Sequence, residues 1–97
     1  MSLHFEDIWT NAENYHKDGE PLSLSDILEE LILKLNFYKA IDEKEELSNE
    51  DKRKIKSHTF GEMLFTLTAL SLNDNVNTYE ALNVAVVLRQ FKALNVT

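Results

Sequence analysis

Four acidic side chains on two segments of the chain have the types and the spacing that suit a metal site. Asp26, Glu29 and Glu30 lie in the segment "LSDILEELI", and Glu62 lies in the apolar segment "FGEMLFTL". Residues three or four positions apart share one face of a helix, so Asp26 shares a face with Glu29 and Glu30. Hard cations such as Mg²⁺ prefer carboxylate oxygens, and two neighbouring helices can supply them.

Each of these acids also has an explanation that needs no ligand. Acids in the first turns of a helix interact favourably with the helix dipole, which accounts for Asp26, Glu29 and Glu30. Glu62 lies too far along its helix for that effect, and a buried carboxylate without a partner is costly. It can pair with His58 one turn earlier, lie on an exposed strip, or face the other acids across a metal ion. In the last case we expect Glu62 to lie near Glu29 or Glu30.

The spacing of apolar residues predicts four helices in one all-α domain that covers residues 1–97. We expect the helices at about residues 3–16, 24–42, 49–73 and 78–93. Ser23, Ser48 and Asn77 precede three of them and are expected to act as N-cap residues. Residues 84–88 are rich in β-branched side chains and would suit a strand by propensity, but a single strand would have no partner. The predicted fold is therefore a four-helix bundle.

The third and fourth helices carry more apolar surface than four short helices can easily cover. Between residues 57 and 88 the only charged side chains are Glu62, Asp74 and Glu80. We therefore expect the second half of helix 3 to be buried nearly all round, and a homodimer or higher homo-oligomer to form on helices 3 and 4. Within a helix, glycine is about 1 kcal/mol less favourable than alanine. We therefore expect Gly61 to be present because a neighbouring helix packs closely against it.

Composition argues against several classes of function. The chain has 97 residues, a net charge of −7 and no cysteine. Binding of nucleic acid is not expected, because phosphate contacts need clustered lysine and arginine, and the one basic cluster, residues 52–56, directly follows Glu50 and Asp51. No segment approaches the roughly 20 apolar residues that span a bilayer. The absence of cysteine excludes disulfides and zinc sites formed by thiols. We expect a soluble, cytoplasmic protein that does not bind membranes.

One segment resembles a known family of metal-dependent enzymes. Residues 60–82, "FGEMLFTLTALSLNDNVNTYEAL", are similar to the region from the third to the fourth helix of MazG-like nucleoside triphosphate pyrophosphohydrolases. The shared features are a glycine followed by an acid, an apolar run, a short polar turn and "EAL". The resemblance extends over residues 5–92 and implies a small, all-α, four-helical and oligomeric protein.

The family's metal motif is EExxE on the second helix followed by ExxD on the third. Glu29 and Glu30 match the double acid, and Glu62 matches the aspartate. Leu33 and Thr59 stand where the two remaining acids belong. The resemblance therefore implies a Mg²⁺ site formed by Glu29, Glu30 and Glu62, with two of the family's anionic ligands replaced.

The resemblance also implies a reaction, the hydrolysis of a nucleoside triphosphate to the monophosphate and pyrophosphate. A metal-activated water would attack the α-phosphorus, with Glu29 or Glu30 as a ligand or as the base that orients the water. Asp26 would join the ligands in a shifted register, with Asp26 and Glu29 as the acidic pair. On helix 4, Asn83 and Arg89 are the candidates for phosphate binding.

Two functions therefore stand as expectations. The first is a Mg²⁺-dependent, MazG-like nucleotide pyrophosphohydrolase, intact or partly degenerate, with a nucleoside triphosphate as its substrate. The second is a non-catalytic helical homo-oligomer that retains the fold and uses its surface to bind a partner. Only the first predicts the release of pyrophosphate from a nucleotide.

Overall fold

The computed structural model describes residues 4–95, and within that range its regular secondary structure is entirely helical. The helices are α1 (Phe5–Asp18), α2 (Leu24–Asp42), α3 (Asn49–Asn73) and α4 (Thr78–Asn95). The predicted all-α class with four helices is thus confirmed. The expected start of helix 1, at residue 3, lies outside the described residues. The same is true of residues 96 and 97, which the predicted domain includes. None of the helices described combines the length and the apolar character needed to cross a membrane.

The starts of three helices follow from their capping residues. In α2, α3 and α4 the side chain of the residue before the helix accepts a hydrogen bond from a backbone N–H three residues later, as predicted. The pairs are Ser23 with Asp26, Ser48 with Asp51 and Asn77 with Glu80, at 3.1, 3.1 and 3.0 Å. Helix α1 ends at Asp18, and the N–H of Gly19 closes its last turn on the carbonyl oxygen of His16.

Helix α3 packs mainly along α2 and less extensively against α1. The apolar side chains buried in this arrangement are those of Trp9, Ile27, Ile41 and Ala69. Nε2 of His16 on α1 lies 2.9 Å from the carbonyl oxygen of Phe65 on α3, within hydrogen-bonding distance. These contacts make α1, α2 and α3 the packed part of the chain.

The predicted burial of α3 is wrong in one respect. Its buried residues are Thr59, Thr66, Thr68 and Ala69, whereas Phe60 and Glu62 are exposed. The threonines bury no unpaired hydroxyl, since Thr59 donates to the carbonyl oxygen of Ile55 and Thr68 to that of Phe65. From residue 63 to residue 72 every side chain is buried or half-buried, so the prediction holds for that range and fails only where Phe60 and Glu62 lie.

The expected role of Gly61 is also wrong. A Cβ atom added to this residue would meet nothing within 4 Å, so no neighbouring helix in the described chain requires a glycine there. Gly61 therefore lies in an open position of α3, with a backbone that alanine can adopt.

An ion pair joins the C-terminal end of α2 to α3. The carboxylate of Asp42 pairs with the ammonium of Lys56, and Lys52 Nζ donates to the carbonyl oxygen of Asp42 at 3.2 Å. The hydrogen bond from Lys56 holds the pKa of Asp42 below its ordinary value of 3.8. Lys56 also lies 5.7 Å from the ring centroid of Tyr38, which adds a weak cation–π contact to the same junction.

Helix α4 makes little contact with the rest of the described chain. Its first turn is tied to α1 by a hydrogen bond from the Tyr79 hydroxyl to the carbonyl oxygen of Glu6, at 3.3 Å. Partial desolvation, reinforced by the charge of Glu6, raises the pKa of Tyr79 above its ordinary value. Beyond this turn most of α4 is exposed.

Candidate functional site

A half-buried lysine, Lys34 on α2, lies beside the candidate acid Glu30 and reaches the candidate acid Glu62 on α3. Its Nζ donates to the hydroxyl of Thr66 at 2.6 Å and to the carbonyl oxygen of Glu62 at 3.3 Å. Two carboxylates flank the same ammonium group, with Glu30 Oε1 at 3.8 Å and Glu62 Oε2 at 3.6 Å. We call these four residues, Glu30, Lys34, Glu62 and Thr66, the lysine cluster.

Helical spacing explains why these side chains meet. Glu30 and Lys34 are four residues apart on α2, and Glu62 and Thr66 are four residues apart on α3, so each pair lies on one face of its helix. Thr66 also donates its hydroxyl proton to the carbonyl oxygen of Glu62, at 3.1 Å. The hydroxyl oxygen is thereby left free to accept from Lys34.

Lys34 is held in place by the packed face of α2. It follows Ile27 and Leu31 and precedes Tyr38 and Ile41 at helical spacings, and these neighbours are buried or half-buried. The aliphatic part of the lysine therefore packs with apolar side chains while the ammonium reaches the polar strip of α3. Only 21% of the Lys34 side chain is exposed.

Glu62 is therefore an exposed and paired acid, not a buried one. About half of its side chain, 47%, is exposed. His58, one turn earlier, has its Nε2 3.9 Å from Glu62 Oε1, so the pairing considered from the sequence is present as a longer contact. The expectation that Glu62 lies near Glu29 or Glu30 is met by Glu30, since both acids flank Lys34 across the contact between α2 and α3.

Most of the other predicted site residues do not join this cluster. Asp26 and Glu29 are exposed near the start of α2. On α4, Asn83 and Arg89 are also exposed, and Arg89 donates to the carbonyl oxygen of Ala85 at 3.2 Å. The structure therefore brings two of the six candidates together, Glu30 with Glu62.

An open groove lies beside the lysine cluster, between α2 and α3. Besides the cluster residues Glu30, Lys34 and Glu62, it is lined by Leu33, Phe37, His58 and Thr59. Leu33 and Phe37 are both exposed, so the α2 side of the groove is largely apolar. The groove thus combines an apolar wall with two carboxylates that share one lysine.

This set of donors does not fit a bound Mg²⁺ ion. Among residues 4–95 no three His, Asp or Glu side chains converge as metal ligands would. The two acids that do converge have a positive charge between them, and Thr59, where the family has an acid, commits its hydroxyl to the carbonyl oxygen of Ile55. Mg²⁺ is usually held by one or two carboxylates with waters completing its octahedron, so the feature that disfavours it here is the ammonium of Lys34 beside both acids.

Lys34 is the site residue that the sequence analysis did not identify. Two signals for it were present: the spacing of four residues from Glu30, and a charged residue within the apolar stripe of α2. A lysine within such a stripe either extends its ammonium to water or finds an acceptor on the helix packed against it. That acceptor is Thr66, which lies four residues after Glu62 on α3.

Comparisons of the chain with protein-family models, with curated proteins and with solved structures gave no match in any of the three. The resemblance to MazG-like pyrophosphohydrolases therefore rests on the residues quoted above.

Proposed function

We propose that this chain is a non-catalytic helical interaction protein that self-associates and retains a MazG-like arrangement of helices. One observation carries the proposal: the ammonium of Lys34 lies between Glu30 and Glu62, where a metal-dependent relative would need a cation. The lysine supplies the positive charge from within the chain. The acids then tie α2 to α3 instead of binding a ligand.

Electrostatics supports this reading of the cluster. Two like unit charges 4 Å apart repel by about 4 kcal/mol at the effective dielectric typical of a protein surface, and a divalent cation doubles that repulsion. A metal ion entering between Glu30 and Glu62 would therefore have to displace Lys34. Displacement would also break the hydrogen bond from Lys34 to Thr66, which is 2.6 Å long.

The test is an assay of pyrophosphate release. The purified chain is incubated with each common ribonucleoside and deoxyribonucleoside triphosphate in the presence of Mg²⁺ or Mn²⁺, with heat-denatured protein as the blank. We expect no release above the blank, and no rise in the melting temperature when either metal is added. Release that depends on the native protein, or a metal-dependent rise in the melting temperature, would contradict the proposal.

A second candidate is the nucleotide pyrophosphohydrolase itself, with a nucleoside triphosphate as its substrate. The observation that favours it is the meeting of Glu30 and Glu62 across the contact between α2 and α3, the place to which the family resemblance assigns metal ligands. For this candidate, Glu62→Gln should abolish pyrophosphate release. Glu43→Gln, at the exposed end of α2, should leave it unchanged.

A further inference from the structure

The chain exposes two apolar surfaces that a folded monomer would normally cover. The first is on α4, where large apolar side chains point in several directions around the helix. These residues are Leu82, Val84, Val86, Val87 and Leu88, and each is at least 44% exposed; we call them the α4 surface. A helix that is apolar around most of its circumference is normally buried on several sides.

The second surface runs along α2, beside the face that packs on α3. Leu28, Ile32 and Leu35 follow each other at spacings of four and three residues and are all exposed; we call them the α2 stripe. This spacing places the three side chains on one side of the helix, as in the seam of paired helices. The α2 stripe is therefore shaped to pack against another helix.

The size of the uncovered area indicates what covers it. The chain exposes 7910 Å², whereas a folded monomer of its mass, 11.2 kDa, exposes about 5,700 Å². Its radius of gyration is 16.6 Å, against about 12.5 Å for a compact domain of this length. An excess of about 2,200 Å² per chain is about 4,400 Å² for two chains, which is within the roughly 2,000–5,000 Å² in total that an obligate dimer buries.

A second copy of the chain fits these surfaces better than a different protein does. Permanent interfaces between identical chains are more apolar than those of transient complexes. A transient partner would leave the α4 surface exposed whenever it was absent, and large exposed apolar patches favour aggregation. A second copy is present whenever the protein is made, so the surfaces are covered from the start.

We propose that two copies of the chain associate by burying the α2 stripe and the α4 surface of each copy against the other. The sequence indicated helices α3 and α4 for this contact. The structure instead leaves its exposed apolar side chains mainly on α2 and α4, because α3 already packs along α2. This inference rests on the self-association part of the proposed function and is independent of whether the protein hydrolyses nucleotides.

The experiment measures mass in solution for the wild type and for two matched variants. Leu35 in the α2 stripe and Leu33 are two residues apart on the same helix and are 50% and 67% exposed, but they lie on nearly opposite sides of α2. Leu35→Asn and Leu33→Asn therefore make the same chemical change inside and outside the proposed contact. Each protein is studied by light scattering after size-exclusion chromatography over about a hundredfold range of concentration.

We expect the wild type and Leu33→Asn to have twice the chain mass. Leu35→Asn should dissociate at concentrations at least about tenfold higher than the wild type does, because asparagine cannot replace a central apolar contact. A monomeric wild type over the whole range would overturn the inference and leave the surfaces to another occupant. Equal dissociation of Leu35→Asn and Leu33→Asn would also overturn it, because the contact would then not involve the α2 stripe.

A second measurement applies if Leu35→Asn fails to fold. When folding is coupled to dimer formation, the melting temperature of the wild type rises with protein concentration. A melting temperature that is independent of concentration would contradict the inference without any variant. Pyrophosphate release from a protein that is nevertheless dimeric would contradict the proposed lack of catalysis and leave this inference standing.

Discussion

The contact between α2 and α3 and the surface of α4 are made of different side chains, and they are covered in different ways. Ile27 and Ile41 of α2 are buried against α3, and the lysine cluster and the pair Asp42–Lys56 join the two helices along the same contact. Helix α4 has the more continuous apolar surface, yet most of it is exposed. The number of apolar residues on a helix therefore does not determine how fully that helix is buried within a single chain.

The difference indicates separate roles for the two regions. The polar links between α2 and α3 require a particular pairing of residues, because Lys34 must reach Thr66 while its stem stays among apolar neighbours. Such links fix how the two helices align along each other. The α4 surface has few charges to direct its packing, so its apolar area supplies a driving force for association. One region fixes the structure of the chain, and the other is available for assembly.

Substitution of a buried isoleucine should have the largest effect. Ile41 and Ile32 lie on the same helix and are 1% and 56% exposed. Ile41→Ala should lower the free energy of unfolding by about 2–5 kcal/mol, because it removes packed methyl groups and leaves a cavity. Ile32→Ala should lower it by less, because Ile32 lies outside the packed face of α2 and loses only its contact with the proposed second copy. Urea denaturation of both variants and the wild type at one protein concentration measures the difference, and equal losses would contradict the contrast between packed and uncovered surfaces.

Loss of the ammonium group from the lysine cluster should have the next largest effect. Lys34→Met keeps much of the apolar stem but removes the donor to Thr66, and it leaves Glu30 and Glu62 without the lysine. We expect the free energy of unfolding to fall by about 1.5–3 kcal/mol, the range for a hydrogen bond to a charged group. The matched control is Lys39→Met, at an exposed lysine of the same helix. Equal effects of the two substitutions would show that the cluster does not tie α2 to α3.

An alanine at position 61 should stabilise the chain. No atom lies within 4 Å of the position that its Cβ would take, and alanine is about 1 kcal/mol more favourable than glycine within a helix. We expect Gly61→Ala to raise the melting temperature by about 4–8 °C, the shift that 1 kcal/mol produces in a domain of this size. If another copy packed closely against α3 at this point, the substitution would instead weaken association, and light scattering would detect that loss.

The sequence was sufficient for features that depend on short-range interactions. The starts of α2, α3 and α4 could be predicted because Ser23, Ser48 and Asn77 act on an N–H only three residues away. The position of Lys34 between Glu30 and Glu62 could not, because it depends on how α2 and α3 align over a separation of 28 residues or more. The burial of threonines in α3, with leucines left exposed on α2, likewise depends on which helices pack together.

The smallest effect should come from the ion pair at the far end of the contact between α2 and α3. The hydrogen bond from Lys56 lowers the pKa of Asp42 below its value of 3.8 in an unfolded chain, so the folded state favours the charged carboxylate. The stabilisation by this pair is therefore complete only above about pH 5, where the unfolded carboxyl is also ionised, and it is lost as the pH falls through the lower pKa of the folded state. Asp42→Asn should lack this contribution at neutral pH. Its melting temperature should approach that of the wild type as the pH is lowered. The control is Glu43→Gln, at the neighbouring exposed acid. If Asp42→Asn still melted at a lower temperature than the wild type at pH 2, the difference would not come from the charge of this pair.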